Sequence, residues 1–262
     1  MKSVWLDGEF TNDYGRKAVK DLFGDAVMDF PKSPQLMKRL LDIATGPECT
    51  VLDFFAGSSS MAHAVMMANL EDGGRRQFVM VQLDEHPDPK SAAAKAGYST
   101  IAELSRERIR RAGADIVESA GLAKTGLDIG FRSLHVDSTN MSDVLRSPGE
   151  TDQLSLKELE TSVKPDRSGE DLLFQVMLDW GLELTMPIAV EEVVGHEVFV
   201  VEDGALIACF DSQVRPELVR TVAEREPLRA VFRDSSFASD DARINAEQIF
   251  REVSPATDVK AI

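Results

Sequence analysis

A short apolar run that breaks into a glycine turn and then a helix constrains this chain more than any other feature. Thr50-Val51-Leu52-Asp53-Phe54-Phe55 reads as a strand buried on both faces. Ala56-Gly57-Ser58 follows as a tight turn, and residues 59–68 are apolar nearly all round a helix, which predicts burial. Asp72-Gly73-Gly74 then leads into a second apolar run, Gln77-Phe78-Val79-Met80-Val81-Gln82-Leu83. Strand, helix, strand predicts a parallel sheet with a right-handed crossover, hence an α/β fold. Upstream, Ser33 has the form of an N-cap and Pro34 of a first helical residue. Leu36, Leu40, Ile43 and Ala44 share one face of the helix that follows, and Gly46-Pro47 stops it. Downstream, residues 99–112 read as another helix.

The second half continues in α/β style. Residues 131–136 predict a strand and 170–180 a helix. Val198-Phe199-Val200-Val201 and residues 205–210 flank Glu202-Asp203-Gly204, the pattern of a hairpin with Asp-Gly in its turn. Residues 215–225 predict a helix, 228–232 a strand, and 240–252 a helix capped by Asp240. Two glycine- and proline-punctuated stretches, 119–130 and 146–169, look like connectors, with a short helix expected over 154–163. The expected organisation is a first domain over 1–118, a linker over 119–129 and a smaller acidic α/β domain over 130–262.

Charge supports that division. The chain carries 29 basic and 45 acidic side chains, a net charge of −16. The first 120 residues hold 15 basic and 18 acidic groups; the remaining 142 hold 14 and 27. The second part would repel a polyanion, so any DNA contact is expected from the first part and to be weak. No apolar run is long enough to span a membrane and no secretory h-region is visible at the start. Cys49 and Cys209 make no disulfide framework, which predicts a reducing, cytoplasmic setting.

The candidate chemistry lies at the glycine turn. Such a turn lets backbone approach a ligand, and the helix start beyond it offers free N–H groups and partial positive charge to a carboxylate or phosphate. The second strand ends in Gln82-Leu83-Asp84-Glu85, where a polar or acidic side chain can hold ribose hydroxyls. A tight turn and an acidic loop are the structural alternatives. Scattered histidines and unpaired cysteines predict no metal site. G-x-S-x-G, the P-loop pattern and G-x-G-x-x-G are absent. Arg106, Arg108, Arg110 and Arg111 read as a solvated helix face, with Glu107 pairing Arg111; phosphate contact is the lesser alternative, and any DNA contact is expected chiefly from this helix.

In this order the elements resemble a β-class amino-methyltransferase that uses S-adenosylmethionine, with a Rossmann-like parallel sheet. More narrowly they resemble the C-terminal part of the modification (Mod) subunit of type III restriction–modification systems, which methylate adenine N6 in DNA. The matching segments are Phe30-Pro31-Lys32-Ser33, Asp53-Phe54-Phe55-Ala56-Gly57-Ser58, Val79-Met80-Val81-Gln82-Leu83-Asp84-Glu85, Gly97-Tyr98-Ser99-Thr100-Ile101-Ala102, the arginine segment 106–113, residues 130–140 and the tail from Phe232. The resemblance implies that Lys32 and Ser33 lie beside the methionine moiety of the cofactor. It places Asp53, Phe55, Gly57 and Ser58 beneath that moiety, and Gln82 and Asp84, with Glu85 beside them, near the ribose. It implies DNA, the N-terminal half of the methyltransferase or a partner subunit, and a second copy or a restriction subunit as partners.

Two departures shape the expectation. Ser59 stands where the family has glycine, which costs about 1 kcal/mol if its φ is positive. The Asp-Pro-Pro-Tyr-like motif that grips a flipped base is absent; His86-Pro87-Asp88-Pro89 is only an echo. No catalytic residue is therefore expected here, and the isolated chain is expected to be inactive. The competing expectation is a non-enzymatic assembly module with a vestigial cofactor site. A different nucleotide-binding α/β enzyme is disfavoured by the missing glycines.

Overall fold

A computed structural model describes residues 5–121, 126–141 and 163–262. The chain divides into two compact units, Met1–Ser133 and Leu134–Ile262.

The first unit contains α1 (Asn12–Phe23), α2 (Pro34–Ala44), β1 (Thr50–Asp53), α3 (Ser60–Asp72), β2 (Gln77–Met80), the one-turn α4 (Ala92–Lys95) and α5 (Ile101–Ala120). β1 and β2 are parallel, with Thr50 opposite Gln77 and Asp53 opposite Met80. A parallel pair needs a crossover, and α3 supplies it. Ser33 caps α2 by accepting from the Gln35 and Leu36 N–H groups, and Pro34 opens the helix, as the sequence predicts. α3 is buried on most of its surface because helices flank it on two sides. Ala64, Val65 and Ala68 meet Leu41 of α2, while Ala62 and Met66 meet Ile109, Ala112 and Ile116 of α5.

The apolar strand runs predict cover on both faces; the structure corrects this. Val51, Phe78 and Met80 face the helices, but Leu52, Val79 and Val81 on the opposite face are 51 %, 47 % and 41 % exposed. The strand stretch expected over 131–136 is also absent. Phe131 instead packs on the α3–α5 core with Leu127 and Ile129, and Val136 is exposed.

The second unit has a mixed five-stranded sheet, ordered β3 (Ile188–Val193), β4 (His196–Val201), β5 (Leu206–Cys209), β6 (Arg229–Phe232), β7 (Asp258–Ala261). β3, β4 and β5 are antiparallel neighbours; β6 and β7 add in parallel. α6 (Gly169–Asp179) covers one face through Phe199, Val201, Leu206, Ala208 and Val231. The alternate residues Val198, Ile207, Cys209, Ala230 and Phe232 face α7 (Pro216–Ala223) and α8 (Asp240–Val253). Period-two alternation thus gives this sheet two cores. The Asp-Gly hairpin forms as expected, with Phe199 opposite Ala208 and positive φ at Glu202 and Asp203 in the connection. Ser239, not Asp240, caps α8, accepting from the Ala242 N–H. The short helix expected over 154–163 lies, apart from Val163, outside the described residues. Among the described residues no helix is long and apolar enough to cross a membrane, and no cluster of metal-ligating side chains occurs.

Candidate functional site

At the end of β1 the Asp53 carboxylate accepts from the Phe55 N–H at 3.0 Å and starts the turn. The Ala56 N–H donates to the Val81 carbonyl, and the Ser59 N–H to Ala56. Gly57 takes φ +53°, where an L side chain is strained, and its N–H donates to Gln82 Oε1 at 2.7 Å. Gln82 in turn donates through Nε2 to Glu85. Its amide therefore ties the turn to the end of β2.

The Ser60 hydroxyl, in the first turn of α3, donates to the Lys32 carbonyl at 2.9 Å, just before α2. Two helix N-termini, with their positive dipole ends, are thus brought together; Ser33 already takes the first-turn N–H groups of α2, so the free donors lie at the start of α3. Ser33 is buried and donates its hydroxyl to the Glu9 carbonyl, so it both caps and anchors this loop. Of the expected residues, the structure joins Lys32, Ser33, Gly57, Ser58 and Gln82 to the bonded network of this turn and the α2 start. Asp53 bonds within the turn. Phe55 and Asp84 stand exposed beside it, Phe55 at 87 %.

Three residues outside that expected set stand in or around this region. Arg108 was expected on a solvated face, yet its exposure is 0 %. Its Nη1 donates to the Ser58 carbonyl, to Ser58 Oγ at 2.5 Å and to Ser60 Oγ at 2.7 Å. Among the described residues no carboxylate pairs with it, and burial pulls its pKa down to about 10. The signal was present: Leu104, Arg108, Ala112 and Ile116 recur every four residues, so this arginine sits in an apolar stripe. The neighbouring arginines fasten the unit. Arg111 bonds Glu107 at 2.7 Å as expected, and also stacks over Phe23 and donates to the Leu22 carbonyl. Second, Gly15 of α1 packs on the loop before α2; a β-carbon there would stand 2.2 Å from the Pro31 carbonyl oxygen. Third, His63 of α3 is buried with Nδ1 unpartnered, and it lines a cleft of about 760 Å³ with Tyr14, Lys38, Glu71 and Asp115.

Ser59 takes φ +53° and ψ +42°, the left-handed region, so the strain anticipated from the sequence is realised. It is fully buried, and its hydroxyl bonds that of Ser105. Ser59→Ala and Ser59→Gly both lose that bond; only alanine keeps a β-carbon in the left-handed region. Thermal melts should show Ser59→Gly more stable than Ser59→Ala by about 1 kcal/mol. Equal stabilities would remove the strain from the account.

No family model matches the chain. It is 46 % identical over 128 residues to the Mod subunit of the type III restriction–modification enzyme StyLTI from Salmonella typhimurium, covering 49 % of this chain and 19 % of that protein. It is 32 % identical over 248 residues to the EcoP15I Mod subunit from Escherichia coli, covering 90 % of this chain and 35 % of that protein. The type II methyltransferase M.KpnI from Klebsiella pneumoniae is 30 % identical over 110 residues, 42 % of this chain and 26 % of that protein. The chain therefore spans about a third or less of the curated relatives it matches. With nearly its whole length aligned to one such subunit, and half of it aligned at higher identity to another, the chain is a Mod-subunit-like protein, akin to the modification subunits of type III restriction–modification enzymes.

Proposed function

We propose that this chain is the cofactor-holding part of a site-specific DNA adenine-N6 methyltransferase that uses S-adenosylmethionine. The observation that carries the reading is the junction of two helix starts at Ser60 and Lys32, beside a glycine turn tied to the end of β2 by Gln82. The donor set fits the cofactor. Free N–H groups at the start of α3 and a buried guanidinium suit the amino-acid carboxylate, and Asp84 and Glu85 are exposed acceptors for ribose hydroxyls. Phe55 offers an open ring beside them. When bound, the cofactor supplies an electrophilic methyl group on its sulfonium. The chain's own residues do no proton transfer in this reading: Lys32, Ser33 and residues 57–60 hold the tail, Gln82 fixes the turn, and alignment is the main contribution to rate.

Base capture by an Asp-Pro-Pro-Tyr-like loop is assigned to a segment outside these 262 residues. The open apolar face of Leu52, Val79 and Val81 gives such a segment a surface to pack on. The second unit, doubly covered and acidic, is assigned to assembly with another subunit rather than to DNA. The chain alone should put no labelled methyl group into adenine-containing DNA. Incorporation should appear on adding the part of a Mod-subunit relative that carries the missing motif. Incorporation by the isolated chain would overturn the division of labour. Failure to complement, with no cofactor binding, would favour the assembly module.

A further inference from the structure

The guanidinium of Arg108 is a whole charge where neutral donors would suffice for hydrogen bonding. Its three acceptors are a carbonyl and two hydroxyls, and among the described residues no acid accompanies it. Nε and Nη2 are buried without partners among the described residues. Burying a charge in this way is costly by desolvation, and a clamp on the turn alone does not explain it. All three acceptors lie at the start of α3, so the charge adds to the positive end of that helix. Ser60 accepts from Arg108 and donates to the Lys32 carbonyl, a relay that runs from the buried cation to the start of α2. The positive potential is therefore concentrated where two helix N-termini meet, and a negative group is the missing counterpart.

We propose that Arg108 is a positioning residue for an anionic ligand tail: through Ser58 and Ser60 it joins the two helix starts and supplies the buried charge that selects a carboxylate at residues 57–60. This rests on the cofactor reading above, in which the carboxylate belongs to the methionine moiety. The residue does not touch the reacting atoms; it sets preference for one end of the ligand.

The test compares two probes by calorimetry on the full chain: S-adenosylmethionine, and its decarboxylated form, which keeps the sulfonium and amine. Wild type should prefer the carboxylate-bearing probe. Arg108→Met should weaken that probe about tenfold or more while moving the decarboxylated one by less than about threefold. Arg108→Lys, which keeps the charge without the fork, should recover part of the preference. If Arg108→Met does not fold by circular dichroism, Ser60→Ala, which cuts the relay, should show the same selective loss. Equal weakening of both probes would make Arg108 a structural clamp and overturn the assignment. Wild type that binds both probes equally overturns it while leaving the cofactor reading intact. Wild type that binds neither overturns both.

Discussion

Gly15→Ala is expected to destabilise the first unit by about 2 kcal/mol and, on the cofactor role proposed above, to weaken S-adenosylmethionine binding with it. In an open helix this substitution gains about 1 kcal/mol, because alanine restricts the unfolded chain and favours the helix. Here the new β-carbon would lie 2.2 Å from the Pro31 carbonyl oxygen and 3.0 Å from the carbonyl carbons of Pro31 and Lys32. Those are backbone atoms and cannot swing aside. The loop that must retreat is held by Ser33 on the Glu9 carbonyl and by Ser60 on the Lys32 carbonyl. Overpacking of this kind costs about 3 kcal/mol, and more where the neighbour is anchored, so the clash outweighs the propensity gain. A melt should show the transition falling by several degrees, on the order of 5–10 °C for a unit of this size. Binding should fall further than in a variant such as Phe232→Ala, which injures only the second unit's core. A raised melting temperature would show that α1 does not press on this loop.

What the sequence disclosed follows from which residues decide locally. Ser33 and Pro34 specify the start of α2 through a hydroxyl cap and a fixed φ, and neither needs a tertiary partner to be read. The Asp-Gly hairpin is equally local. The edge strands β3 and β7 were missed because edges need little apolar content: Glu191 and Glu192 interrupt one, and Asp258 and Lys260 stand in the other. Residues 131–136 have strand-like composition, but strands exist only in pairs, and no neighbour accepts them. The apolar runs of β1 and β2 were read as covered on both faces because periodicity reports hydrophobicity, not what covers it. At the candidate site the turn and its serines were legible. The burial of Arg108 was not, because the charge masked its place in the apolar stripe of α5.

Acidification from pH 7 to pH 5 should cost the first unit about 2 kcal/mol through His63 alone. The imidazole is 8 % exposed, and burial, with the Arg108 charge second, pulls its pKa from 6.5 down to about 3. Above pH 6.5 it is neutral folded and unfolded, and contributes no pH dependence. Between 6.5 and about 3 the unfolded chain takes a proton that the folded chain refuses, so stability falls by about 1.4 kcal/mol per pH unit. The interval from 6.5 to 5 gives the figure of about 2 kcal/mol. Tyr14, Asp21, Lys38, Glu71 and Asp115 share the cleft with His63; Lys38 is engaged by Glu71. Arg108 lies close enough to lower its pKa. His63→Gln removes the titration and leaves those neighbours in place. The stability gap between wild type and His63→Gln, from denaturant melts, should therefore shift by about 2 kcal/mol in favour of the variant between pH 7 and pH 5. Arg108→Met should reduce that shift only in part, because burial is the larger cause. A gap that stays constant across that range would mean the folded imidazole takes its proton as readily as the unfolded one, so that its burial does not govern its charge.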